Sequence, residues 1–416
     1  MRKRKSGPKE SKKRRKKRSI DNTEAWETAS WEYTKLISQD IMPILSVRLA
    51  GQDRIDYLKE ILEGCPEYYP ASIELGYRYI QEGMDEAGKA SIDGGLQSLA
   101  THFHKKMLIE AYYDIGEFLE KYLRFEMEIE YYNQLMELES DKANVYDCIS
   151  SCYPYLGDMQ KAFETQQKAL ELCDSNHRFY CNMGWLEMIR GNLDAAKAML
   201  ERSLELNQED EVTLNNYEAC KLMLKNKRLK NWEMYLLRDT DYEHLEKLED
   251  DGDFEEYEKQ VWTYNQDKIE AFKFDLVRNP NHILSEKYDI LFTLNYVFDI
   301  IRRSYESGYF FYDDMVWVKE SFKPIMHKVI LGTGDIDEEI FNDIYTALQV
   351  FYKFLAKRNV VSGYKSFENE MLKLKPELME KMLRYNEIRH NAEYTDEEKD
   401  EIREELFEGD ALCPLF

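Results

Sequence analysis

Proline and glycine are scarce in this chain, at nine and eighteen of 416 residues. Both interrupt helices, so their scarcity favours helices over a β-sandwich. No run of 18 apolar residues occurs. The longest candidate, Ile290 to Ile301, is broken by Thr293, Asn295 and Asp299 and reads as a buried helix face, so no transmembrane segment is expected. No apolar core follows the N-terminal charges, which speaks against a cleaved secretory signal. The seven cysteines are odd in number and scattered from Cys65 to Cys413, in a chain too large to need staples. They read as reduced thiols of a cytoplasmic protein.

Catalytic spacings are missing too. There is no Gly-rich phosphate loop, no His-Glu-x-x-His and no Cys-x-x-Cys. Leu331-Gly332-Thr333-Gly334-Asp335 lacks the third glycine and the preceding strand of a dinucleotide loop, so it reads as an inter-helix connection. Cys148 and Cys152 lie one helical turn apart, and Cys173 and Cys181 flank a turn nearby. Small, soft residues filling tight helix contacts explain them better than a metal does. His102 and His104, two apart on a helix, diverge. His390, beside Arg389 and Asn391, reads as helix surface. The expectation is a protein that is not an enzyme, with no metal site and no cofactor.

What is present begins with charge. Residues 1–18 hold twelve Lys or Arg against the single Glu10, a local net of +11. The other 398 residues carry 45 basic and 80 acidic groups, net −35. Charge this dense with no apolar periodicity predicts a disordered polybasic tail over 1–22. Its cations (Arg2, Lys3, Arg4, Lys5, Lys9, Lys12, Lys13, Arg14, Arg15, Lys16, Lys17 and Arg18) suit a polyanion: RNA, DNA or an anionic surface. Lys13 to Arg18 would also serve as a nuclear address in a nucleated cell. No aromatic lies within the segment, so base stacking is not expected of it.

The second feature is a repeat. Residues 143–176 and 177–210 superpose without a gap: Tyr146 meets Tyr180, Gly157 meets Gly191, Asp158 meets Asn192, Ala162 meets Ala196 and Leu170 meets Leu204. A 34-residue period with small residues at fixed slots marks stacked helix pairs that bury their apolar faces against neighbours. Weaker copies precede it, with Leu75-Gly76, Tyr79, Gly83 and Leu96 in one and Tyr112, Ile115-Gly116, Leu119, Tyr132 and Leu138 in the next. About six extra residues around Thr101 to Lys106 separate the two. The period degrades after Tyr217. Asp251-Gly252-Asp253 then separates two helices, Asn279-Pro280-Asn281 is a break, and Thr395 is a candidate N-cap. The fold expected is all-α, in three parts: the tail 1–22, a helical repeat domain 23–235, and a helical C-terminal domain 236–416.

These units resemble the tetratricopeptide repeat (TPR), with Tyr146, Ile149, Ser150, Tyr153, Ala162 and Gln166 in its slots, then Tyr180, Met183, Gly184, Glu187, Ala196 and Leu200. Its final Pro is replaced by Asp174 and Gln208, and Glu187 stands for an aromatic. The resemblance implies a right-handed superhelical solenoid of helix hairpins whose first helices line a concave peptide groove. That groove would carry Asn144, Asp147, Ser151, Arg178, Cys181, Asn182, Trp185, Met188, Asn215 and Asn216. Some members clamp a chaperone's C-terminal carboxylate; Asp147 and Asn216 stand where Lys and Arg would be needed, so no such clamp is expected. Trp185 and Met188 would receive an apolar anchor, and the asparagines would bond a peptide backbone.

Three functions follow. The first is an adaptor or scaffold that holds a basic or apolar peptide while its tail attaches to a polyanion. The second is a nucleic-acid-associated protein with the solenoid as spacer. The third is an enzyme with an unrecognised site in 236–416.

Overall fold

The computed structural model describes residues 24–41, 51–304, 311–333 and 336–409. The basic segment 1–18, Gly334, Asp335 and Cys413 lie outside them. Nineteen α-helices and no strand occur among the described residues. The chain divides into two compact units, up to Phe118 and from Leu119 onward.

The first unit contains α1 (Glu24–Ile41), α2 (Gly51–Gly64), α3 (Tyr69–Gln81) and α4 (Asp85–His102), and α5 (Lys105–Lys121) spans the division. Pro70 sits in the first turn of α3, where its missing N–H is harmless. α3 and α4 form a hairpin through Gly83, with α4 extended to His102 where the sequence has extra residues. A Cβ on Gly76 would lie 2.5 Å from Ile92 Cγ1 and 2.7 Å from the Gly88 carbonyl, so only glycine lets the two backbones meet there. Trp26, Leu36, Leu58, Tyr68 and Leu75 share a core, with the Trp26 ring edge-on to Tyr68 at 4.7 Å.

The second unit opens with α6 (Phe125–Leu135). Next come α7 (Lys142–Leu156) with α8 (Met159–Leu172) and α9 (His177–Arg190) with α10 (Leu193–Leu206), the hairpins of the 34-residue overlay. Both close on a left-handed glycine, Gly157 at φ 81° and Gly191 at φ 83°. Ala162 and Ala196 are fully buried, and a Cβ on Gly184 would lie 2.7 Å from Leu200 Cγ. The small slots are thus places where two helices touch.

α11 (Glu211–Lys225), α12 (Trp232–Leu236), α13 (Tyr242–Asp250), α14 (Phe254–Arg278), α15 (Leu284–Ser304), α16 (Met315–Gly332), α17 (Glu338–Lys357), α18 (Tyr364–Arg389) and α19 (Asp396–Leu406) follow. Thr395 forms a full capping box with Glu398. One apolar cluster runs from Leu123, Phe125, Cys152 and Tyr155 through Phe272, Phe274, Val297 and Phe322 to Phe351 and Phe367. Within this cluster α14 packs on α7.

Candidate peptide-binding face

The first helices α7, α9 and α11 begin with side-chain caps from Asp141, Asn176 and Asp210. Their opening turns carry most of the residues expected to line a groove. Asp147 is the hub. It is 1% exposed, and its Oδ1 accepts from Gln166 Nε2 and Asn182 Nδ2, both at 2.8 Å. Arg178 reaches its Oδ2 at 3.5 Å. Gln166 also donates to the Phe179 carbonyl at 2.8 Å and accepts from Ser150 Oγ, tying α7, α8 and α9 together. Burial pushes the Asp147 carboxyl up; the bonds from Gln166 and Asn182 and the Arg178 charge oppose it.

Around this hub the expected residues separate. Arg178 and Asn215 are exposed, and Asn144, Ser151, Asn182 and Asn216 are half-buried. Ser151 Oγ is turned back to the Cys148 carbonyl at 2.7 Å. Cys181 is buried and accepts from Asn216 Nδ2 at 3.4 Å. Met188 is fully buried with Leu200, Cys220 and Met223. Asp147, Cys181 and Met188, expected to line a groove, are buried, where apolar area and paired polar atoms are held away from water.

The C-terminal half of α7 is covered by α14, and α12 packs on α9. Tyr155 lies between Phe125 and Phe274, with centroids 4.5 and 4.4 Å away and planes within 4° and 9°. Its hydroxyl donates to Glu270 at 2.7 Å, and Lys273 Nζ stands 4.5 Å from its ring centroid. Arg278 donates to the carbonyls of Pro154 and Tyr155, capping the α7 C-terminus with a cation. Trp185 is half-buried, its ring 6.5 Å from Phe274.

Tyr155, Gln166 and the α14 residues were not among the expected functional positions. Gln166 carried a signal, a polar side chain in an aromatic slot of the repeat. Chemically this face offers hydrogen bonds. Burial pushes the Cys148 thiol up to about 12 and raises the Cys152 and Cys181 thiols, which disfavours reactive thiolates. Among the described residues no group of three or more His, Cys, Asp or Glu is placed to hold a metal ion. Among them too, no helix is long and apolar enough to cross a membrane.

The family model described as tetratricopeptide repeat matches residues 177–210, the α9–α10 hairpin and its approach to α11. One helix hairpin of the chain thus matches the tetratricopeptide repeat. Among solved structures the chain is similar to YrrB, a TPR protein with an unusual peptide-binding site, at 14% identity and a TM-score of 0.32, covering 49% of this chain and 94% of that one. It is also similar to the TPR domain of P58(IPK), at 13% identity and a TM-score of 0.23, covering 83% of this chain and 88% of that one. No curated protein matches it in sequence.

Proposed function

We propose that the chain is a scaffold that holds a partner peptide across the opening turns of α7, α9 and α11. One observation carries this reading: Asn144, Arg178, Asn182, Asn215 and Asn216 keep solvent-reachable surface there, while α14 packs on the C-terminal half of α7. Amides bond the backbone of an extended peptide, and the buried Asp147 beneath them fixes Asn182 and Arg178 in place. The twelve cations of residues 1–18 support the second part of the proposal, attachment to a polyanion such as RNA.

The test is affinity capture from native lysate, with and without nuclease, using the full chain, an Arg178→Ala/Asn215→Ala variant and a chain lacking residues 1–18. The double variant is expected to lose nuclease-resistant protein partners while melting normally. The truncation is expected to lose only what nuclease releases. Undiminished capture by the double variant would remove the peptide face from consideration. Nucleic acid retained without residues 1–18 would remove the tail.

A further inference from the structure

α9 presents a second face, roughly opposite the one that carries Arg178, Asn182 and Trp185, since successive helical residues are rotated by about 100°. There Tyr180, Met183 and Glu187 follow at helical spacing and face Phe163, Gln167 and Leu170 of α8. Met199 of α10 closes the cleft, whose volume is about 620 Å³. Its floor is apolar and partly methionine, a side chain that adapts to differently shaped anchors.

The residues lining the cleft carry one sign of charge, with two cations beside them, Arg190 and Arg202, the latter 5.8 Å from the Tyr180 centroid and bonded to Glu205 at 2.7 Å. Glu164, Glu171 and Glu187 are the cleft's only ionisable carboxylates, and no Lys or Arg is among the residues lining it. Arg190 Nη2 bonds both oxygens of Glu187, at 2.9 and 2.7 Å, while its guanidinium sits 4.1 Å from the Phe163 centroid. One end of the cleft thus already shows what it accepts: a cation held by a carboxylate and laid on an aromatic ring. Glu164 and Glu171 are exposed. Each accepts only from a neutral glutamine amide, Gln160 at 2.8 Å and Gln167 at 3.4 Å, and neither forms a salt bridge among the described residues.

We propose that this cleft is a second docking surface, for a partner peptide that carries a large apolar side chain flanked by Lys or Arg. The apolar side chain enters between Leu170, Tyr180, Met183 and Met199, and its basic neighbours meet Glu164 and Glu171. Charge complementarity selects this occupant over an acidic or uncharged one.

The experiment titrates the full chain into a fluorescein-labelled Lys/Leu amphipathic peptide and follows anisotropy. A Lys/Gly peptide of equal charge and a Glu/Leu peptide serve as controls. Glu164→Gln/Glu171→Gln is expected to weaken the Lys/Leu peptide about fivefold, from two partly exposed ion pairs. Gln167→Lys, another exposed change, is expected to weaken it as well. Glu255→Gln/Glu258→Gln, an equal loss of charge on exposed α14 positions, is expected to leave it unchanged. Thermal melts confirm that each variant is folded. Equal weakening by the α14 pair, or equal affinity for the Lys/Gly peptide, would overturn the proposal and leave only the general attraction of an acidic body.

Discussion

Phe274 stacks on Tyr155 with ring centroids 4.4 Å apart and planes 9° apart, joining residues more than a hundred positions apart in sequence. Around this pair α14 supplies Glu270 to the tyrosine hydroxyl, Lys273 to its ring face and Arg278 to the carbonyls that end α7. The C-terminal helices thereby share the core of the repeat hairpins.

Phe274→Ala tests that role. The side chain is buried, so truncation removes apolar contact and leaves a cavity, at a cost of about 3–5 kcal/mol. Chemical denaturation is expected to show one cooperative transition, since repeat and C-terminal helices share the cluster, shifted to lower denaturant. A loss under about 1 kcal/mol, or a separate early transition of 236–409, would mean that α14 rests on the repeats without supporting them.

The hairpins were legible because their determinants are local. Gly157 and Gly191 end helices in the left-handed region, Gly184 and Ala196 lie where backbones meet, and Thr395 caps with Glu398 three residues on. The seat of α14 was not, because it depends on pairings between distant segments. A trace of it exists in α14 itself: Ile269, Ala271, Phe272, Phe274, Leu276 and Val277 are all buried, and a helix apolar on every side is enclosed by neighbours. The burial of Asp147 was hidden for a similar reason, since its partners come from α8 and α9.

Asp147→Ala is expected to destabilise the protein by about 2 kcal/mol, because Asn182 Nδ2 loses its acceptor and Gln166 Nε2 keeps the Phe179 carbonyl alone. Freed from the hub, Asn182 and Arg178 should hold a peptide less well even when the fold survives. Urea titration together with partner capture checks both. Normal capture by a folded Asp147→Ala chain would show that the hub does not position the face above it.

Glu128 sets a pH dependence. Burial, with the Glu120 charge second, pushes its carboxyl up from the ordinary 4.5 to about 8, and its Oε2 has no hydrogen-bond partner. The native state therefore holds a proton that the unfolded chain releases, so stability from this group is full below about pH 4.5 and falls as pH rises toward 8. Glu128→Gln is expected to remove that slope and to raise stability at pH 7 by on the order of 3 kcal/mol. Melts at pH 5 and pH 8 provide the check. A variant whose stability follows the parent's pH profile would show that Glu128 does not carry the effect.

Gly184→Ala sets two opposed effects against each other. In an exposed helix alanine is favoured over glycine by about 1 kcal/mol. Here the new Cβ would lie 2.7 and 2.9 Å from Leu200 side-chain carbons and 3.3 Å from the Ala196 carbonyl, and Leu200 is fully buried. Overpacking of this kind costs about 1–3 kcal/mol, so net destabilisation is expected. The first repeat shows how a larger residue fits: Ser150, at the matching slot, bonds Gln166, which stands in place of Leu200. Copying that pair would leave the new glutamine without its carboxylate, because Cys181 occupies the slot of Asp147. The informative partner is therefore Leu200→Ala, which costs stability alone and should cost less in the Gly184→Ala background, where the methyl occupies part of the space it vacates. A double-mutant cycle measures this coupling. Strict additivity would show that Gly184 is not required by the approach of α9 and α10.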